Sequence, residues 1–509
     1  MDKKIIFRLL ENVLIAFSGI FAVPLVYAVI FARNFDFAIF FAIVAICVSA
    51  VERVFKKLGT GHRRRLPILS GAISIILIYP LIAIFGCLPF IYFGNMPPVD
   101  ALLETISDLT SAGISILPQS APYILKLWQS VLMWFGSLLF LVMLVTIMPE
   151  VSGIFGMTLS LHGGQNFSPI FGQMLVMAQR MINVYTALTI FSVALFKLAG
   201  LDLWDSILMA MRCISTGGGD FFPSGGNNFV EYAAAFTMLL ACGNFLYYHR
   251  LIVTLPPPIT AQKGNIFRRG IRYCKTLCGN FLTNIKRLLS NSEVKAISLI
   301  TFSGVLLISF STYRQGIFSN IPDAFKTSLF HVASFLSTSG MHNENFVQMN
   351  DFDKFLFFII ALFGGCIGSV TGGLKIMRVI VLVRIAAAEL TRTMHPRMLT
   401  VIKVNRVSVP QQIVGRILGF FFLACITLFI SSAVLSLTYL KFSEAVAMAF
   451  ACLTNLGTLP GFCTPESFLA LPIAGKIFCM AILIVGRLEI FAVLILVAGL
   501  ISRRNIKEW

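Results

Sequence analysis

Continuous apolar runs recur along the whole chain, and many reach about 20 residues, the length that crosses a bilayer as a helix. They are separated by short polar turns and by a few strongly basic segments. The runs do not alternate apolar with polar positions, so the pattern predicts membrane helices and not a barrel. Two leading helices are expected at 13–32 and 37–54, joined by the tight turn Arg33-Asn34-Phe35-Asp36. After them one plan recurs four times: an outer helix, a short apolar helix, a hydroxyl-rich turn ending on glycine, and an inner helix. Outer helices are expected at 67–92, 179–199, 295–312 and 411–440. Short helices are expected from Asp100, at 204–214, after Pro322-Asp323, and at 444–453. Inner helices are expected at 127–148, 231–253, 355–385 and 472–501. The chain therefore divides into leading helices with a basic linker (1–65), repeat one (66–170), repeat two with a basic linker (171–294), repeat three (295–408) and repeat four (409–509). The fold class is an all-α integral membrane protein, with four helix–loop–helix repeats around a central axis. The Gly- and Ser-rich segment 149–169 has no clear place in this plan.

The four turns carry the candidate chemistry. They are Thr110-Ser111-Ala112-Gly113, Ser215-Thr216-Gly217-Gly218, Ser337-Thr338-Ser339-Gly340 and Thr454-Asn455-Leu456-Gly457. Backbone that leaves a helix at membrane depth survives only if it is buried in protein or lines an aqueous path. Four such turns can surround an axis and present rings of carbonyl oxygens that replace the hydration shell of a monovalent cation. The short helices would aim their partially negative C-terminal ends inward, which also favours a cation. Glycine supplies backbone angles that turn carbonyls toward the axis. Ser-Thr-Gly turns are common loop chemistry one at a time; four copies in one helical context point to a shared function.

Composition and charge sharpen this picture. The 509 residues are 57% hydrophobic and 12% charged, too apolar for a soluble protein. The net charge of +18 sits in inter-helix segments, where it reads as topology and as contact with anionic lipid, not as a nucleic-acid surface. The basic residues Arg53, Lys56, Lys57 and Arg63–Arg65, those from Lys263 to Arg287, those from Arg384 to Arg406, and the tail Arg503-Arg504 all fall on the side of the two termini. That side is expected to be cytoplasmic. The segments after the four turns lean acidic, with Asp220, Glu231, Glu344, Asp351, Asp353 and Glu466, and are expected to be extracytoplasmic. Two leading helices and two crossings per repeat give ten crossings, so both termini share one side. The 11 cysteines are scattered with no Cys-x-x-Cys, and read as small apolar filler. The N-terminal run is read as a retained first helix.

Two further features lie in inner helices. Gly364, Gly365, Gly368, Gly372 and Gly373 interrupt the inner segment of repeat three, together with Thr371 and Lys375. Glycine costs roughly 1 kcal/mol in a helix interior, so this density predicts an intramembrane loop beneath the turns that acts as a gate; close packing through small residues is the alternative. Lys375 either faces the path or snorkels to the interface. Arg487 lies near the middle of the last inner helix, where a charge needs a partner or an aqueous path. It is expected near the pore, pairing with the gate loop or opposing cations, or else in a structural ion pair. Glu489, two residues on, points elsewhere.

The turns and two longer motifs resemble the Trk/Ktr/HKT superfamily of potassium transporters, and within it the TrkH type. Gly113, Gly218, Gly340 and Gly457 match the family's four filter glycines. The run Gly364–Lys375 resembles its glycine-rich signature of repeat three, and Gly486-Arg487-Leu488-Glu489-Ile490-Phe491 resembles that of the fourth inner helix. The resemblance covers nearly the whole chain. It departs at Leu456-Gly457-Thr458-Leu459-Pro460-Gly461 and at Ser111-Ala112, where the family often has Val-Gly-Pro-Gly and a run of threonines. The resemblance implies potassium uptake across a bacterial inner membrane through a channel-like pore, with K+ bound at the filter only. It also implies two paired copies, no cofactor held by this chain, and control by a separate TrkA-like ring of nucleotide-binding cytoplasmic subunits. Some relatives with serine at the first filter position carry sodium; Gly113 favours potassium.

Alternatives remain open at this point. One is a Na+-permeable or Na+/H+-coupled transporter (a symporter) of the same fold. A more distant one is a membrane enzyme acting on lipid-linked substrates. The histidines His162, His249, His331, His342 and His395 are dispersed and form no metal-ligand motif, which disfavours the enzyme.

Overall fold

The computed structural model describes residues 3–59, 68–118, 120–146, 171–219, 229–253, 289–343, 345–395, 398, 401–405, 407–438, 440–459, 462–490 and 493. The segment 149–169, the basic residues Arg63–Arg65 and Lys263–Arg287, the acidic Asp220 and Glu344, His162 and the C-terminal tail lie outside them.

The first crossing is α1 (Lys3–Ile20), α2 (Ala22–Tyr27) and a π-helical turn, Ala28–Ala32. Arg33 takes a left-handed conformation, and Asn34 caps the next helix by accepting the Asp36 N–H at 3.0 Å. That helix is α3 (Phe35–Leu58), and it packs along α1.

Repeat one comprises α4 (Ile68–Gly86), α5 (Leu88–Gly94), the short helix α6 (Pro98–Leu109) and the inner helix α7 (Tyr123–Thr146). Repeat two has the outer helix α8 (Phe171–Leu198), the short helix α9 (Leu203–Ser215) and an inner pair, α10 (Phe229–Ala241) and α11 (Phe245–Val253). Repeat three has the outer helix α12 (Ser292–Arg314), the short helix α13 (Ile321–Leu336), one turn α14 (Asn345–Gln348), and an inner pair, α15 (Asp351–Phe363) and α16 (Ile376–Met394). A small antiparallel hairpin, β1 (Lys403–Val404) and β2 (Val407–Ser408), leads to repeat four. Its helices are α17 (Gln411–Ser436, outer), α18 (Phe442–Thr454, short), α19 (Pro465–Leu469) and α20 (Ile473–Arg487, inner).

Each short helix starts with a carboxylate in its first turn: Asp100, Asp205, Asp323 and Glu444. A negative charge there complements the helix dipole. Each outer helix packs on the short helix of its own repeat. Inner helices reach forward: α7 packs on α9, α10 on α13, and α20 on α6, which closes the circle. Between repeats three and four, Phe358 stacks on Phe450 with ring centroids 3.8 Å apart.

Where ten crossings are expected, seven helical stretches among the described residues are long and apolar enough to cross a membrane, two of them built from consecutive helices. Burial separates their roles. Within its most apolar window, α7 is 83% buried, whereas α12 is 17% buried. The exposed side of the outer helices is apolar, with Leu299, Phe302, Phe310, Phe422 and Phe429 outermost. An apolar surface of this extent is what lipid requires.

Three features differ from the sequence expectation. The inner helix of repeat two is not continuous but breaks at Cys242–Asn244. Arg487 is not mid-helix: it is the last residue of α20, followed by Glu489 and Ile490 in left-handed conformations. Much of the basic linker after Arg384 is ordered, as the end of α16 and the β1–β2 hairpin. There Asn405 accepts from both the backbone N–H and the hydroxyl of Ser292, and so anchors the hairpin to the start of α12.

Candidate functional site

The four hydroxyl-glycine turns meet at the centre of the repeats, and they share one backbone. Each short helix ends on a residue with positive φ that is not glycine: Ser111, Thr216, Thr338 and Asn455, all between 52° and 57°. Its N–H donates back to a carbonyl three residues earlier: Asp108, Cys213, Phe335 and Cys452 respectively. The next N–H, of Ala112, Gly217, Ser339 or Leu456, donates to a carbonyl five residues earlier: Ser107, Arg212, Ser334 and Ala451. This pair of bonds is the Schellman ending of a helix, and it satisfies carbonyls that would otherwise be stranded at membrane depth. Gly113, Gly218, Gly340 and Gly457 follow, again at positive φ.

The glycines are needed because the four loops touch in a ring. A Cβ on Gly113 would lie 1.7 Å from the Gly217 carbonyl oxygen, and one on Gly218 would lie 1.8 Å from that of Ser339. The corresponding approaches are 2.1 Å from Gly340 to the Leu456 oxygen and 2.5 Å from Gly457 to the Ala112 oxygen. One to two, two to three, three to four, four to one: the contacts close. Backbone oxygens from all four repeats therefore converge on one small circle.

The hydroxyls of the turns are used elsewhere. Thr110, Ser215, Ser337 and Thr454 donate to helix carbonyls one turn back, those of Ile106, Arg212, Ser334 and Phe450. The next side chains brace the ring from outside. Ser111 Oγ pairs with Ser137 Oγ on α7 at 2.5 Å, and Asn455 Nδ2 donates to the Leu483 carbonyl on α20 at 3.2 Å.

The glycine-rich segment Gly364–Lys375 is a compact loop packed against the turns of repeats two, three and four, at Thr216, Thr338 and Thr454, and linked to repeat one through Arg487. Its base is closed by Leu374 N–H to the Leu362 carbonyl and Ile376 N–H to the Gly365 carbonyl, both at 3.0 Å. The Gly372 N–H donates to Thr338 Oγ1 at 2.7 Å, in repeat three. A Cβ on Gly372 would lie 1.8 Å from the Thr454 carbonyl, in repeat four. The Val370 carbonyl accepts from Arg487 Nη1 at 2.8 Å, while Nη2 reaches Ser137 Oγ at 3.0 Å and Ser111 Oγ at 3.3 Å, in repeat one. Repeat two holds the loop through its broken inner helix. Cys366 N–H donates to the Cys242 carbonyl at 2.8 Å, Phe245 N–H to the Gly368 carbonyl at 3.1 Å, and Gly368 abuts Asn244. Thr371 Oγ1 accepts the Gly365 N–H at 2.9 Å. Gly364 and Gly373 pack on each other where the loop closes.

Two charged residues singled out in the sequence are buried here. Arg487 stacks over Phe140, 4.3 Å from the ring centroid. Lys375 does not snorkel: its ammonium turns into the loop and binds the Thr371 and Ser369 carbonyls. Glu489 points away from Arg487 and pairs with Arg378 at 2.5 Å.

Sequence reasoning missed three participants. Glu293, in the first turn of α12, accepts the loop's Ile367 N–H at 2.9 Å. Arg212, within the short helix of repeat two, donates to the Gly218 carbonyl at 3.2 Å. His342 places Nδ1 3.0 Å from the Gly340 carbonyl. A charged residue inside a short apolar helix was the available signal for Arg212; Glu293 and His342 had none without the fold. Among the described residues no group of three His, Cys, Asp or Glu could hold a metal.

Comparison with known proteins is consistent along the chain's length. The family profile described as TrkH, cation transport protein, matches residues 94–507. The Trk system potassium uptake protein TrkH of Halomonas elongata is 24% identical over 97% of this chain and 98% of its own. TrkG of Escherichia coli (strain K12), also a Trk system potassium uptake protein, is 26% identical over 94% of each. The crystal structure of the potassium transporter TrkH from Vibrio parahaemolyticus shares the fold, with a TM-score of 0.83 at 22% identity over 99% of each chain.

Proposed function

The chain belongs to the TrkH family of cation transport proteins, and we propose that it is the membrane subunit of a potassium uptake system. It is an integral membrane transport protein, not an enzyme. The observation that carries the reading is the closed ring of four glycine turns, whose carbonyls suit a dehydrated monovalent cation. In this reading Gly113, Gly218, Gly340 and Gly457 and the residues before them form the selectivity filter. The loop Gly364–Lys375 is the gate, latched by Lys375 within itself and by Arg487 to Val370. The five sequence segments are the two leading helices and four pore repeats.

The potassium uptake proteins named among the relatives support K+ as the transported ion. The same reading places the protein in the bacterial inner membrane with both termini cytoplasmic, pairs two copies, and gives control of the gate to a TrkA-like nucleotide-binding subunit on the cytoplasmic face. The hairpin and Glu293 suit such control, because both lie at the start of α12, and Glu293 holds the loop directly.

Tracer flux into liposomes holding the purified protein tests this. Uptake of K+ and Rb+ well above Na+ is expected. Equal K+ and Na+ uptake would favour the sodium-permeable alternative, and no flux with the regulatory subunit supplied would defeat the reading.

A further inference from the structure

Of the four positions six residues before the ring glycines, one holds a cation. Arg212 lies six residues before Gly218; the equivalent positions in the other repeats are Ser107, Ser334 and Ala451. Its side chain is 1% exposed, and a guanidinium stays charged at any physiological pH. Nη1 donates to the Gly218 carbonyl at 3.2 Å, Nε to Ser130 Oγ at 2.8 Å, and Nη2 to Gln129 Oε1 at 2.5 Å. Gln129 passes the chain on, its Nε2 donating to Glu104 Oε1 at 2.5 Å. Glu104 Oε2 accepts the Ile116 N–H at 2.8 Å, on the segment just past the first turn. Arg212 and Glu104 are both electrostatic neighbours of Asp108, one turn along α6. The network therefore spans repeats one and two directly behind the ring.

We infer that Arg212 is a specificity-determining positioning residue of the filter. It fixes the direction of the Gly218 carbonyl and occupies one of that oxygen's two lone pairs. Its charge, linked through Gln129 to Glu104, lowers the negative field that repeat two presents to an ion. The ring is then electrostatically unequal. The Gly340 carbonyl is also engaged, by His342, so adjacent repeats two and three present weakened outer carbonyls. A weaker field suits the larger, more easily dehydrated K+ over Na+, since selectivity follows the number and field strength of the coordinating dipoles.

This inference rests on the potassium-pore reading, and its test separates the two. Full-length Arg212→Lys, Arg212→Gln and the double variant Glu104→Gln/Arg212→Gln are reconstituted into liposomes, and Rb+ uptake is measured with and without competing Na+. The double variant removes Arg212 together with the carboxylate at the far end of its hydrogen-bond chain, so that Glu104 is not left without its cation. It is expected to fold and conduct, with its preference for Rb+ over Na+ reduced about tenfold, the size of one charge-assisted hydrogen bond. Arg212→Lys keeps the charge but loses the fork, and should fall between. A folded, conducting double variant with unchanged preference would overturn the inference, as would proportional loss of both fluxes at constant ratio. Absence of Rb+ flux in the unaltered chain would overturn the pore reading itself, and this one with it.

Discussion

Ser111, Thr216, Thr338 and Asn455 hold a left-handed backbone without being glycine, at a cost of roughly 1 kcal/mol each. Their side chains explain why these residue types are used: each reaches out of the ring to a hydroxyl or backbone group, which glycine cannot do. Gly113 is the opposite case, where the neighbouring carbonyl leaves no room for any side chain. Gly113→Ser should therefore shift the first and second turns apart, and the ratio of K+ to Na+ uptake should fall at least several-fold. Thr338→Val removes the acceptor of the Gly372 N–H and leaves a buried donor unpaired, a penalty of about 1–3 kcal/mol. That penalty falls on the docked state of the loop, so uptake without a regulatory subunit should rise. Arg487→Ala releases Val370 and should act in the same direction; unchanged flux and gating would count against a pore role for Arg487. The carbonyl-lined character of these turns was legible from Ser, Thr and Gly recurring at four places. Which hydroxyls fold back and which brace the ring was not, because that depends on helices far away in sequence.

At the scale of elements, the inner helices divide the repeats into kinds. The inner helix of repeat one is continuous, that of repeat two breaks at Cys242–Asn244, that of repeat three opens into a full loop, and that of repeat four unwinds after Arg487. The break in repeat three was legible because five glycines weaken one helix. The break in repeat two was not, since only the pair Gly243-Asn244 marks it and the run is apolar on both sides. Its cause is tertiary: the freed Cys242 carbonyl and Phe245 N–H bond the loop of repeat three. Gly372 is the tightest point of that docking. Gly372→Ala should push the loop off the Thr454 carbonyl, and unregulated Rb+ flux should increase, whereas Gly415→Ala, with open space around it, should leave flux unchanged.

For the whole molecule, the ring must close between repeats four and one, which are most distant in sequence. Lys476 on α20 and Asp100 in the first turn of α6 meet there at 2.5 Å, both buried. Lys476→Met would leave Asp100 buried without its partner, and about 3–5 kcal/mol of stability should be lost. Thermal unfolding in detergent should show a lower Tm, recovered in large part by Asp100→Leu/Lys476→Met. The amino-acid sequence by itself determined the membrane class and the fourfold plan, because these follow from apolar continuity and repeated turn chemistry; of the ten continuous crossings it suggested, seven stand as long apolar helical stretches among the described residues. It also placed the glycines and the interrupted segment of repeat three. Only the tertiary structure decided that Gly113 meets Gly217 and Gly457 meets Ala112, that repeat two breaks to hold the loop, and that Arg212 and Arg487 share the ring's surroundings. Nearly all of those contacts join residues more than 80 positions apart, fixed by how four separately encoded repeats pack around one axis.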